Sequence, residues 1–208
     1  GTRYLRVPFS KEGKIKKDTT KAGASGRALA EITQEEIPFE IPENWRWCRL
    51  GEIGNTITGS TPSKNHPEYF GNYIDFLSPG DIQNSMITYG NKGLSEKGYK
   101  LARPTPAGSI IQVCIGGSIG KCAIVDREVT FNQQINSITP IKANVNFIYA
   151  VLSSEYFHKK ITRNATGTAT PIINKSSWEK LPIPLPPIEE QQRIVEKLNS
   201  ILPLIDSM

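Results

Sequence analysis

The sequence predicts an α+β fold: a twisted, mostly antiparallel sheet with helices packed on it, followed by the start of a long helix. Three patterns carry that expectation. Between residues 45 and 140, short apolar runs are broken by glycines recurring from Gly51 to Gly98, the punctuation of strands and turns. Across residues 146–161, Phe147, Ala150, Val151, Leu152, Phe157 and Ile161 fall at roughly helical spacing and need a surface to cover. Near the C-terminus, Ile194, Leu198, Ile201 and Ile205 follow at spacings of four, three and four, the seam of a coiled coil.

Taken in order, residues 1–44 read as a flexible linker with an extended lead-in. Its first 30 residues hold eight Lys/Arg against Glu12 and Asp18, are rich in small residues and have no period. The stretch EEIPFEIPENW then alternates Ile37, Phe39 and Ile41 with acids and prolines, which suits an extended edge segment anchored by Trp45 and Trp47. Residues 45–184 form the main domain. Within it, residues 73–77, 109–115, 121–125, 129–131 and 135–141 read as strands, with a turn at Gly116, Gly117 and Ser118 joining the second and third. Residues 146–161 read as one helix. Residues 185–208 finish a proline strut and begin the long helix. Pro182, Pro184, Pro186 and Pro187 lack donors, so they predict an unpaired polyproline-type strut, with Glu189 and Glu190 in the favourable first helical turn. Val195 and Leu202 widen the apolar stripe, and Pro203 should kink or end the helix.

Composition bounds the function. A chain of 208 residues with 38% hydrophobic and 22% charged residues suits one soluble domain with appendages. No apolar run approaches the roughly 20 residues of a membrane span and no signal peptide opens the chain, so the expected compartment is the cytoplasm, with no membrane partner. Cys48, Cys114 and Cys122 are too few for a disulfide framework, and His66 and His158 are far from them in sequence, so neither disulfide nor metal site is expected. The net charge of +5 is unevenly spread. Residues 45–184 carry 15 Lys/Arg against 9 Asp/Glu, a moderately basic centre between acidic flanks, compatible with nucleic acid.

No catalytic set is visible. Residues 117–121 mimic a phosphate loop, but Ile115 stands where its first glycine belongs and Cys122 where Ser or Thr should follow the lysine; a hairpin turn is the better reading. Glu12 and Lys14 lack the preceding acid of a nuclease motif. Neither histidine has a Ser, Cys or carboxylate at a recognised catalytic spacing, and no dinucleotide fingerprint or cofactor motif appears.

Recognition chemistry is present. Ser60, Thr61, Ser63, Lys64 and Asn65 put hydroxyls, a cation and an amide on a proline-stiffened loop able to bond phosphates and base edges. Gln133 and Gln134, beside Asn132, offer amides that pair with adenine, or else an internal network at a sheet end. Thr166 and Thr168 lie in a hydroxyl-rich loop that could close on a DNA backbone. Lys100, Arg103, Lys121 and Lys175 join Lys64 as phosphate candidates.

The blocks GSTPSKNHPEYFGNYIDFLSPGDI, GSIIQVCIGGSIGKCAIV, FNQQINSITPI and TGTATPIINKSSWEKLPIPLPPIEEQQRIVEKL follow in the order seen in type I restriction-modification specificity subunits. From residue 37 onward the chain resembles one target recognition domain of that family and the start of its coiled-coil spacer helix. The resemblance implies a non-catalytic protein that reads one half of a bipartite site in double-stranded DNA. It further implies methyltransferase subunits and a restriction subunit as partners, with S-adenosylmethionine, ATP and magnesium held by those partners. With one domain and a short helix, the chain is expected to be a fragment of a longer subunit, or a half-size subunit pairing with itself through the C-terminal helix. Two alternatives stand beside this: an assembly scaffold that docks a methyltransferase through the helix and has little DNA affinity, and the recognition module of a fused methyltransferase.

Overall fold

The computed structural model describes residues 29–141 and 143–206, so the basic stretch 1–28 lies outside the described residues. In chain order the elements are β1 (Arg46–Arg49), β2 (Gly54–Thr58), β3 (Phe70–Leu77), β4 (Ile82–Gln83), β5 (Met86–Ile87), β6 (Gly93–Leu94), α1 (Glu96–Tyr99), β7 (Ile110–Val113) and β8 (Cys122–Ile124). After these come β9 (Thr130–Phe131), β10 (Ile135–Pro140), α2 (Val145–Ser153), α3 (Glu155–Asn164), α4 (Lys175–Glu179), β11 (Pro182–Leu185) and α5 (Ile188–Asp206). The expected α+β class is the observed one.

An antiparallel four-stranded sheet in the order β2-β10-β7-β8 forms the centre. Its period-2 alternation divides the apolar residues between two faces. Ile110, Cys122 and Ile138 point to a cluster with Phe147, Ile148 and Leu152 of α2, Phe157 and Ile161 of α3 and Trp178 of α4. Ile111, Val113, Ala123 and Ile135 point to the opposite cluster with Leu77, Ile82 and Phe131. There a smaller sheet in the order β6-β3-β9 covers the core, with β3 antiparallel to β6 and parallel to β9. Polar residues interrupt the helical side, chief among them Gln112, which is fully buried, its Nε2 donating to the carbonyls of Gly120 (3.0 Å) and Leu152 (3.2 Å) while its Oε1 accepts from Trp178 Nε1 (2.8 Å). Both its donor hydrogens and its oxygen thus have partners in that apolar setting, as burial of an amide requires.

Three local expectations need correction. Residues 146–161 are two helices rather than one. Ser154 leaves the helix (φ −70°, ψ 153°), donates its hydroxyl to the Val151 carbonyl (2.6 Å) and accepts the Phe157 N–H (3.3 Å), so it closes α2 and caps α3. The proline segment is extended, but it is a buried, paired strand rather than a free strut. β11 runs antiparallel to β1, and Pro182 and Pro184 fall opposite Arg49 and Trp47 on alternate positions, leaving the donors of Ile183 and Leu185 for the ladder. Finally, α5 continues past Pro203 to Asp206. The carbonyl deprived of its donor there belongs to exposed Asn199, where water replaces the lost bond at small cost.

Around the entry of the chain, Arg49 is buried and uses its whole guanidinium. It donates to the carbonyls of Ala30 (3.0 Å), Glu31 (2.8 Å) and Lys180 (2.7 Å) and grips the Glu36 carboxylate at both oxygens (2.5 and 2.8 Å). Ile41 is buried, and Phe39 packs edge-on against Trp47 and Tyr156 at 5.1 and 5.4 Å between ring centroids. The lead-in is thus held by packing and Arg49 rather than by strand pairing, and it is not extended throughout, since Gln34–Glu36 form a 3-10 turn. At the exit, Ile194 and Val195 of α5 pack on the helical core while Leu198 is half-buried. Ile201 and Leu202 are 37% and 50% exposed, so the apolar stripe is covered only in its first half.

Candidate nucleic-acid interface

Strand direction decides which loops meet. The register Asn136↔Thr58, Ile135↔Val113 and Gln112↔Cys122 brings the end of β2, the start of β10, the end of β7 and the start of β8 to one edge of the central sheet. Loops 59–65, 132–134 and 114–121 leave from that edge. A fourth, 165–173, is closed on itself by the bridge Thr166↔Ile172 and stitched to the third by the bridge Ile115↔Ile172 and by Gly116 N–H donating to the Pro171 carbonyl (2.9 Å). The end of β3 joins the same group, since Asn132 N–H donates to the Leu77 carbonyl (3.0 Å).

The first two loops are in direct contact. Gly59 N–H donates to the Ile135 carbonyl (3.1 Å) and Ser60 N–H to the Phe131 carbonyl (3.0 Å). A Cβ on Gly59 would collide with the carbonyl oxygens of Phe131 and Asn132, so only glycine permits this approach. Exposed Thr61 then donates its hydroxyl to Oε1 of exposed Gln133 (2.6 Å), joining two residues 72 positions apart. Residues 132–135 form a tight turn in which Ile135 N–H donates to the Asn132 carbonyl (3.2 Å). Within it Asn132 accepts the Gln134 N–H and donates its amide to Gln134 Oε1, both at 3.0 Å. Asn132 and Gln134 are thus occupied with one another, as the internal-network alternative anticipated, whereas Gln133 faces outward.

The remaining candidates divide into two groups. Ser63, Lys64 and Asn65 are exposed on the first loop, where Asn65 N–H donates weakly to Ser63 Oγ (3.4 Å); Ser60 Oγ is shielded without a partner among the described residues. Lys121 is exposed beside the turn 116–120, which is the expected hairpin connection, with Gly116 and Gly120 both at positive φ. Thr166 and Thr168 are exposed on the fourth loop. These residues share one edge with Gln133. Lys175 does not offer a free charge: its Nζ donates to Glu179 Oε1 (2.8 Å) and Thr56 Oγ1 (3.1 Å) within α4 and β2. Lys100, paired with Glu96 at 3.0 Å, and exposed Arg103 precede β7 and so enter the sheet at the opposite end.

Asn132, which the sequence offered as part of an internal network, is the residue that shapes the turn presenting Gln133. One feature escaped the sequence reading. Arg163, exposed on the last turn of α3, adds a third cation next to the fourth loop. Its local sequence gave no hint of that position. None of the segments 59–66, 114–121, 132–134 and 163–174 contains Asp or Glu, so this edge carries Lys64, Lys121 and Arg163 uncompensated within its own loops.

Nucleophile chemistry finds no support here. Burial pushes the thiols of Cys48, Cys114 and Cys122 up to about 12, far from thiolate formation at neutral pH. His66 lies solvent-exposed, stacked on Tyr69 and bonded to Glu68 (3.1 Å), and His158 is exposed on α3. Among the described residues no group of three His, Cys, Asp or Glu could hold a metal ion, and no helix is long and apolar enough to cross a membrane.

The loops at this end of the central sheet thus form a basic cluster without acids of its own. Residues 42–207 match the family described as Type I restriction modification DNA specificity domain, and the chain belongs to that family. It is 34% identical over 166 residues to the Type I restriction enzyme HindI specificity subunit of Haemophilus influenzae, covering 77% of this chain and 36% of that protein. With the Type I restriction enzyme MjaIX specificity subunit of Methanocaldococcus jannaschii it shares 29% over 174 residues, 81% of this chain and 40% of the other. The crystal structure of the HsdS subunit from Thermoanaerobacter tengcongensis has the same fold, with a TM-score of 0.62 at 20% identity over 82% of this chain and 40% of that one. The chain thus spans about two fifths of the length of these relatives.

Proposed function

We propose that this domain reads one half of a bipartite site in double-stranded DNA for a type I restriction-modification complex, and that it does so with the loops 59–65, 114–121, 132–134 and 165–173. The observation that carries the reading is the absence of any acid from those loops, beside the exposed cations Lys64 and Lys121 and the adjacent Arg163. Cations hold the phosphates and set the register, while exposed Asn65 and Gln133 meet base edges, Thr61 being bonded to Gln133. Methyltransferase and restriction subunits are the partners, and S-adenosylmethionine, ATP and magnesium are used there rather than on this chain. The uncovered stripe at Ile201 and Leu202 is where α5 meets a second helix, either from the rest of a longer subunit or from a second copy of this chain.

The test is the salt dependence of duplex binding. Each phosphate contact steepens the fall of log affinity with log salt by about 0.9. Lys64→Gln and Lys121→Gln should each weaken binding to all sequences and flatten the slope by roughly 1. Lys175→Gln should leave the slope unchanged. An affinity independent of salt would refute a phosphate-holding face.

A further inference from the structure

The orientation of Gln133 has a consequence for which base it meets. The Thr61 hydroxyl donates to the carbonyl end of the Gln133 amide at 2.6 Å. That turns Oε1 back into the first loop and leaves Nε2, with two N–H donors, facing outward. Its neighbours are less accessible: Asn132 and Gln134 are half-buried and bonded to one another, and the backbone of Gln134 is tied on both sides, its N–H to Asn132 and its carbonyl to Cys114 N–H (2.7 Å). Gln133 is thus the exposed amide of residues 132–134.

Pairing of a glutamine amide with adenine in the major groove uses both ends of the amide, the oxygen accepting from N6 and the nitrogen donating to N7. Guanine presents two acceptors, N7 and O6, at the same edge. We propose that Gln133, oriented by Thr61, is a specificity-determining residue that donates to the acceptor edge of one guanine in the half-site, with Thr61 a positioning residue that acts through it. This inference rests on the DNA-reading face proposed above.

The experiment begins with the sequences this chain retains from a randomised duplex pool, then measures binding to duplexes in which each guanine of the retained motif is replaced by 7-deazaguanine or adenine. One guanine should be required, and removing its N7 should weaken binding by the wild-type chain on the order of 10-fold. Gln133→Ala should bind the guanine and 7-deazaguanine duplexes equally. Gln133→Glu, which keeps the Thr61 contact but has no donor, should reject that guanine and favour cytosine, whose N4 donates. Thr61→Val should relax guanine toward adenine at that position alone, and Thr61→Ser should restore the choice. Selection of the same bases by wild type and Gln133→Ala, or dependence of an adenine on Gln133, overturns the inference while leaving the DNA-reading face intact. Failure of the wild-type chain to bind any duplex at low salt overturns both.

Discussion

Arg49 and Glu36 show how much one buried pair can organise. The guanidinium ties residues 30, 31 and 36 of the entering segment to Lys180 just ahead of β11, so entry and exit of the domain are fastened at one side chain. Hydrogen bonds from Arg49 hold the Glu36 carboxyl down from its ordinary 4.5 to about 2. A carboxylate depressed on folding contributes stability that is present above its ordinary value and lost as pH falls through the folded one. Urea midpoints should therefore decline between about pH 4.5 and 2, and Glu36→Gln should be less stable at neutral pH but lack this part of the decline. Parallel acid profiles for the two proteins would show that the pair contributes nothing. The sequence contained no sign of this clamp: an arginine in a strand between Cys48 and Leu50 looks like any surface cation until the fold buries it.

At the scale of elements, the central strands were legible because β7, β8 and β10 are bounded by turns and carry apolar residues on both faces. The interruption between α2 and α3 was not, since the apolar spacing runs across it and only the Ser153-Ser154 pair marks it. Ser154 performs two tasks, and Ser154→Ala should cost about 1 kcal/mol in unfolding free energy, the usual value of an N-cap. A stability equal to wild type would mean that packing of Phe157 and Ile161, rather than the cap, holds the break. The prolines misled in a different way. Their missing donors excluded a central strand correctly, but pairing needs donors only at alternate residues, and β11 places both of its prolines on the other set. The expected coiled-coil seam is divided in the same manner: Ile194 packs on the domain core and Ile201 stands free of it, while the side chain of Ile205 lies outside the described residues.

For the whole molecule, the candidate loops were legible one at a time and their assembly was not. Thr61 and Gln133 meet because β2 and β10 are antiparallel neighbours, a fact of topology that no local pattern encodes. The same topology separates Lys100 and Arg103 from that edge, and it spends Lys175 on Glu179. Charge counts over residues 45–184 gave the sign of the field but not its location. The measurement that tests the central claim most directly is selection of bound sequences from a randomised duplex pool at low and moderate salt, comparing the wild-type chain with the Lys64→Gln, Lys121→Gln double variant. Enrichment of one motif of about three to five base pairs by the wild type, with the variant retaining the motif's identity but losing its grip at moderate salt, is the predicted result. Retention without enrichment, or enrichment equally strong in both proteins at both salts, would contradict a basic loop edge that holds phosphates while its neighbours read bases.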